Sequence, residues 1–149
     1  MAAPGPAMIY RPAEAGDAAA LAACIAAAYA EARARIAGLP DVAAGVDDDI
    51  ARHWSCVAVQ QGRIVGGVIA DLGQGKLVNV AVDPGAAGQG IGGELIARAE
   101  AACRSAGHVR MVLTTHRDMP ENVSLYRHLG WTVSAREGDR VHMEKELGP

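Results

Sequence analysis

A mixed α/β (α+β) domain, with a mostly antiparallel central sheet of about six to seven strands flanked by about four helices, is what the sequence predicts. Three observations carry that reading. Runs rich in β-branched residues follow one another at 55–60, 63–71 and 77–82, with turn residues between them. An alanine-rich helical pattern precedes these runs, and an amphipathic one follows them. Two more β-rich runs close the chain. The 149 residues hold no repeat, linker or low-complexity stretch, so they are read as one domain, 1–149, with a loose tail at 1–7.

The elements run β-α-α-β-β-β-α-β-α-β-β. MIYRPA, 8–13, is a short first strand. Asp17 is placed to cap a long helix that ends near Gly38-Leu39-Pro40. DDDIARHW, 47–54, is a short helix whose acidic first turn suits the helix dipole. SCVAVQ and RIVGGVIAD form a hairpin across Gln61-Gly62, and LVNVAV is the third strand of the meander. From Gly92 to Ala106 a helix places Leu95, Ile96, Ala99, Ala102 and Cys103 on one face, with Glu94/Arg98 and Glu100/Arg104 as outer pairs. VRMVLTT, 109–115, is a strand. NVSLYRHLG, 122–130, is a helix introduced by Pro120 and closed by Gly130. WTVSAR and RVHMEKEL make the last hairpin across Glu137-Gly138-Asp139.

Composition narrows the function. Half the residues are apolar but Phe is absent, so Ala, Val, Leu and Ile must build the core. A formal charge of −3 argues against a nucleic-acid binder that relies on a basic surface. No apolar run reaches membrane-spanning length, and the start lacks the basic and apolar regions of a signal peptide. Cys24, Cys56 and Cys103 are widely spaced and each stands in an apolar stretch, which reads as buried free thiols in a reducing cytoplasm, with no metal site.

The informative stretch is VAVDPGAAGQGIGGEL, 80–95, where glycine recurs at 85, 88, 90, 92 and 93 between a strand and a helix. Bare backbone at a helix N-terminus suits a phosphate: amides approach the ligand closely and the dipole favours an anion. Gly88-x-Gly90-x-x-Gly93 matches a dinucleotide pattern, but the following strand ends in Thr114-Thr115-His116 where a ribose-binding acid is needed. A Walker A loop is excluded because no Gly-Lys-Ser/Thr comes after the glycines.

VAVDPGAAGQGIGGELI resembles the acetyl-CoA loop of the GNAT superfamily of N-acetyltransferases, and MPENVSLYRHLGWTV resembles that family's helix after the next strand. The element order over 8–147 is similar too. The resemblance implies that the strand ending at Val80-Ala81-Val82 pairs with the pantetheine arm, and that the amides of Gly88, Gln89, Gly90, Ile91, Gly92 and Gly93 hold the pyrophosphate. It implies acetyl-CoA as cosubstrate, transfer of its acetyl group to a primary amine by direct attack in a ternary complex, and a small-molecule or peptide acceptor. A homodimer is left open, and neither nucleic acid nor membrane is a partner. Two departures stand out. Ala87 occupies the place of the usual Arg or Gln. Met119 stands where many members have an Asn that contacts CoA, and Asn122 is then either that contact or a helix cap.

The chemistry needs a polarised carbonyl, a neutral amine and a protonated leaving thiolate. The Val82 N–H is the oxyanion donor by resemblance. Tyr126 is the candidate acid, although a phenol of pKa about 10 is a weak donor to a thiol of about 8.5; the plain alternative is packing with Leu125 and Leu129. His116 is the candidate base, against a solvated or capping role. Glu31 and Asp71 are weaker candidates, Asn79 cannot be a base, and water is an alternative. Asp47-Asp48-Asp49 either attract a cationic amine or simply start a helix. Tyr29 and Trp54 line the acceptor pocket or pack. A non-catalytic acyl-CoA-binding or sensor module is the competing function.

Overall fold

A computed structural model describes residues 7–41 and 43–148. The tail expected at 1–7 lies outside them except for Ala7. Strands β1 (Met8–Pro12), β2 (Trp54–Gln60), β3 (Arg63–Asp71), β4 (Lys76–Val82), β5 (Arg110–His116), β6 (Thr132–Glu137) and β7 (Arg140–Glu146) form one sheet in the order β1-β2-β3-β4-β5-β7-β6. Helices α1 (Ala18–Arg35), α2 (Val46–Arg52), α3 (Ile91–Ser105) and α4 (Pro120–His128) flank it. The element order is the one the sequence predicts.

Every neighbouring pair of strands is antiparallel except β4 and β5, which are parallel. A parallel pair needs a crossover, and α3 supplies it. Its face of Ile91, Leu95, Ile96, Ala99 and Cys103 buries against the larger core, which includes Val68, Met111, Tyr126, Trp131, Val141 and Met143. Leu21 and Ile25 of α1, with Val46 of α2, build a second core on Val57, Ile69 and Ala81. Gly67 is fixed by that packing: a Cβ there would stand 2.3 Å from a methyl of Leu21. All three cysteines are buried free thiols.

Several local expectations are corrected. Asp17 does not cap α1 with its side chain. Its carboxylate accepts the Glu14 N–H (2.7 Å) and binds the Arg11 guanidinium (2.7 and 2.9 Å), which closes a 3-10 turn at Ala15–Asp17. Helix α1 ends at Arg35 because Ile36 turns extended and buries beside Ala32 and Met119. Glu94 pairs with Arg98 (2.9 Å), but Glu100 is buried and takes Lys145 Nζ at 2.8 Å, while Arg104 donates to the Leu147 carbonyl. Helical spacing alone could not distinguish those two glutamates, since β7 provides the lysine.

One further correction concerns length. The helical stretch Ala15–Arg35, 21 residues of mean hydropathy 1.2, is long and apolar enough by composition to cross a membrane. Core helices meet the same criterion, and α1 buries Leu21, Cys24, Ile25 and Ala32 within the fold.

Candidate active site

The site begins with a bulge. Ile69 of β3 lies opposite Asn79 and Ala70 opposite Leu77, so Val78 is the extra residue on β4. A bulge bends its strand and re-aims the residues beyond it. Past that point β4 and β5 separate: among the described residues a single bridge joins them, Lys76 to Val112, with the Val112 N–H donating to the Gly75 carbonyl at 2.9 Å. The C-terminal half of β4 therefore has an open edge.

The ladder sets the direction of that edge. Asp83 N–H donates to the Val65 carbonyl at 2.8 Å, and Gly67 lies opposite Ala81. Along an antiparallel strand the hydrogen-bonding direction alternates, so residues 81 and 83 bond to β3 while Val80 and Val82 turn their N–H and C=O groups toward the opening. The Tyr29 hydroxyl reaches the Val80 carbonyl from α1 at 3.5 Å.

At the end of β4, Asp83 turns the chain by accepting the Gly85 N–H, and a 3-10 turn at Pro84–Ala86 leads into the glycines. Gly88 (φ +84°) and Gly90 (φ +74°) both adopt the left-handed conformation, and Gly90 stands immediately before the first residue of α3. Beyond the adjoining residues of the chain, no described atom lies within 4 Å of where a Cβ would sit on either. The loop thus leaves open space in front of the α3 N-terminus, which fits a phosphate. Gln89 holds the loop in shape through hydrogen bonds to Gln60 and the Ala86 carbonyl.

Two adjoining clefts meet at the opening. One, about 290 Å³, is lined by Val80, Ala81, Val82, Gly92, Leu125 and Tyr126. The other, about 410 Å³, is lined by Val78, Asn79, Thr114, His116, Asp139 and Arg140. Tyr29, Met119 and Asn122 line both. Above them, Arg35 ties α1 to α4 by donating to the Asp118 carbonyl (2.9 Å) and pairing with Glu121 (3.5 Å).

Tyr126 is 6% exposed and packs edge-tilted on Trp131, with ring centroids 5.9 Å apart. Of the two leucines in the packing alternative, Leu129 packs against the core that holds Tyr126, while Leu125 is 40% exposed and lines the first cleft. Burial, with Tyr29 nearby, pushes the Tyr126 phenol well above its ordinary range. Burial also raises Tyr29, against a hydrogen bond from Asn122. Asn122 sits in the first turn of α4, where the cap position belongs to Met119; its amide donates to Thr115 Oγ1 (3.4 Å) and reaches Met119 Sδ (3.8 Å), near enough to Tyr29 to act on that phenol. Asn122 is therefore not the N-cap residue of α4.

His116 is in the larger cleft, with its side chain 14% exposed. Its Nδ1 accepts the Asp118 N–H at 3.0 Å, so in the neutral ring Nε2 carries the proton and faces Asp139 Oδ2 at 3.4 Å. The lone pair that would take a proton is already engaged. Glu31 lines the smaller cleft but its side chain is 85% exposed and paired with Arg35. Asp71 accepts the Gly73 and Gln74 N–H groups and shapes a turn. Trp54 packs on the core, and Asp47 to Asp49 form the first turn of α2. Thr114, Asp139 and Arg140 entered no candidate set from the sequence. Only the β5–β7 register brings them together.

Residues 22–131 match the model of the Acetyltransferase (GNAT) family. The chain belongs to that family. No curated protein sequence matches it. Among solved structures it is similar to the PaiA N-acetyltransferase of Thermoplasma acidophilum in complex with coenzyme A, with a TM-score of 0.83, 18% identity, and 94% of this chain and 99% of that one covered. The Salmonella typhimurium protein yncA with its cofactor acetyl-CoA gives a TM-score of 0.72 at 22% identity, covering 96% and 95%. The ribosomal-protein-S18-alanine N-acetyltransferase of Escherichia coli gives 0.75 at 18%, covering 96% of each. At such identities the likeness is one of fold, and the seven-stranded sheet with four helices is the GNAT architecture.

Proposed function

We propose that this GNAT protein transfers the acetyl group of acetyl-CoA to a primary amine, by direct attack while both substrates are bound. The observation that carries the reading is the opening between β4 and β5. It presents edge-facing backbone groups of Val80 and Val82 beside a glycine-built helix N-terminus, and a second cleft adjoins it across Tyr29, Met119 and Asn122. Acetyl-CoA fits the first part: Val80 and Val82 pair with its amide-bearing arm, and the amides of residues 88–93 hold its pyrophosphate. Asn122, reaching across to Tyr29, borders that arm. The thioester supplies the activated acetyl group.

The chain's own residues then have distinct tasks. The Val82 N–H faces the opening and stabilises charge on the carbonyl oxygen. The adjoining clefts bring amine and thioester together, and such proximity is worth roughly 7–11 kcal/mol of barrier. Tyr126, kept protonated by burial, donates a hydrogen bond to the departing sulfur more readily than it gives up its proton. Incubation with acetyl-CoA and a panel of simple amines, polyamines, aminoglycosides and peptide N-termini, with free thiol as the readout, tests the reading. Thiol release that depends on an amine supports it; CoA binding without release from any amine favours the acyl-CoA-binding module.

A further inference from the structure

Resting on that transferase reading, a proton-accepting group is still needed, because an alkylammonium must become neutral before it attacks. His116 has its lone pair engaged by a backbone N–H. The neighbouring side chains are arranged differently. Thr114 lines the acceptor cleft, and its Oγ1 lies 3.0 Å from His142 Nδ1 on the facing strand β7. His142 Nε2 is shut off from solvent and makes no hydrogen bond among the described residues, while the Glu137 carboxylate lies 3.2 Å away, an ion-pair contact whose angle is not that of a hydrogen bond.

We propose that Thr114 and His142 form the proton relay of the acceptor cleft, with Glu137 as the counter-charge. A carboxylate beside Nε2 favours the tautomer with its proton on that nitrogen, which leaves the Nδ1 lone pair to receive the Thr114 hydroxyl proton. In the relay the acceptor ammonium gives one proton to Thr114 Oγ1 while the Thr114 proton passes to His142 Nδ1. The ring becomes an imidazolium facing Glu137 and later releases that proton to solvent. The neutral amine forms the C–N bond as the thioester C–S bond breaks, and its second proton ends on the CoA thiol. Atoms and charge balance without a further reactant.

The charged and titratable groups on this face of the sheet are few. His116 of β5 and Arg140 and Glu144 of β7 lie next along their strands from Thr114 and His142, and Glu137 comes from β6. Glu144 is within 3.9 Å of Arg110, which leaves Glu137 as the anion nearest the ring. Thr114 touches the acceptor and is the catalytic residue; His142 acts through it.

The test compares wild type with His142→Gln, Thr114→Val and Thr114→Ser in the full chain. Thiol release is measured against pH with spermidine and with methoxyamine, a weakly basic amine already neutral at pH 7. The expected result is a loss of about 10²-fold with spermidine at pH 7 in His142→Gln and Thr114→Val. Raising the pH toward the amine's own range should restore the rate, methoxyamine should show little loss, and Thr114→Ser should keep most activity. Equal losses with both amines would overturn the relay and mark a structural role, while wild-type rates in the two variants would overturn it and leave the transferase reading intact. If wild type acetylates neither of these two amines, the wider amine panel decides the transferase reading. The relay is then decided by long-range ¹H–¹⁵N spectra: a His142 ring with its proton on Nε2, altered by Thr114→Val, supports it, and a proton on Nδ1 overturns it.

Discussion

Replacing Gly90 by alanine tests the phosphate cradle with one added carbon. Gly90 has φ +74° immediately ahead of α3, and beyond the adjoining residues no described atom lies within 4 Å of the new Cβ, so no clash with the protein arises. The cost is conformational, about 1–2 kcal/mol for an L-residue in the left-handed region. In a chain of 149 residues that lowers Tm by roughly 2–8 °C, which leaves a folded protein. The open space is what matters: the carbon projects into it, where the proposed cradle would hold the pyrophosphate. CoA affinity should fall at least tenfold, about 1.4 kcal/mol, beyond any loss from unfolding. Gly45→Ala is the control: Gly45 stands immediately before α2 at φ +79°, also with open space at its Cβ, so it carries the same conformational cost without a place in the proposed cradle and should leave CoA affinity unchanged. Calorimetric titration with CoA, beside chemical denaturation, separates the two effects. Wild-type CoA affinity in folded Gly90→Ala would refute a phosphate role for this turn.

The same geometry sets other outcomes. Tyr126→Phe should leave CoA affinity and Tm nearly unchanged, because the ring still packs on Trp131, and should lower kcat by roughly 10²-fold; a loss below about threefold removes the phenol from the mechanism. The Cys24 thiol is pushed up to about 11, first by burial and then by the Asp83 charge. Its folded value lies above its unfolded one, so its stabilisation is complete below pH 9 and is lost as pH rises through about 11. Denaturation midpoints of Cys24→Ala should therefore decline less over that interval than those of wild type, and parallel curves would contradict the assignment.

Features that depend on near neighbours were legible in the sequence. The 63–71 strand matches β3 residue for residue because its bounds are turn residues: Gln61 and Gly62 both take positive φ in the hairpin. The glycine-rich turn was legible for the same reason, since Gly88 and Gly90 need conformations that other residues resist. The larger cleft was not. Thr114, His142 and Glu137 lie on three strands, and a shift of one residue in the β5–β7 register would send them to opposite faces. His116 looked like a base because of its residue type and its position at a strand end. The Asp118 N–H that occupies its lone pair comes from the way the chain turns after β5, which no residue pattern announces.

Acceptor-dependent acetyl transfer is the central claim, and mass analysis of an amine panel after incubation with acetyl-CoA tests it most directly. One acetyl group should appear on the nitrogen of at least one amine, matched mole for mole by free CoA thiol and absent when the protein is omitted. Tight CoA binding with no acetylated amine and no thiol above the blank would contradict it.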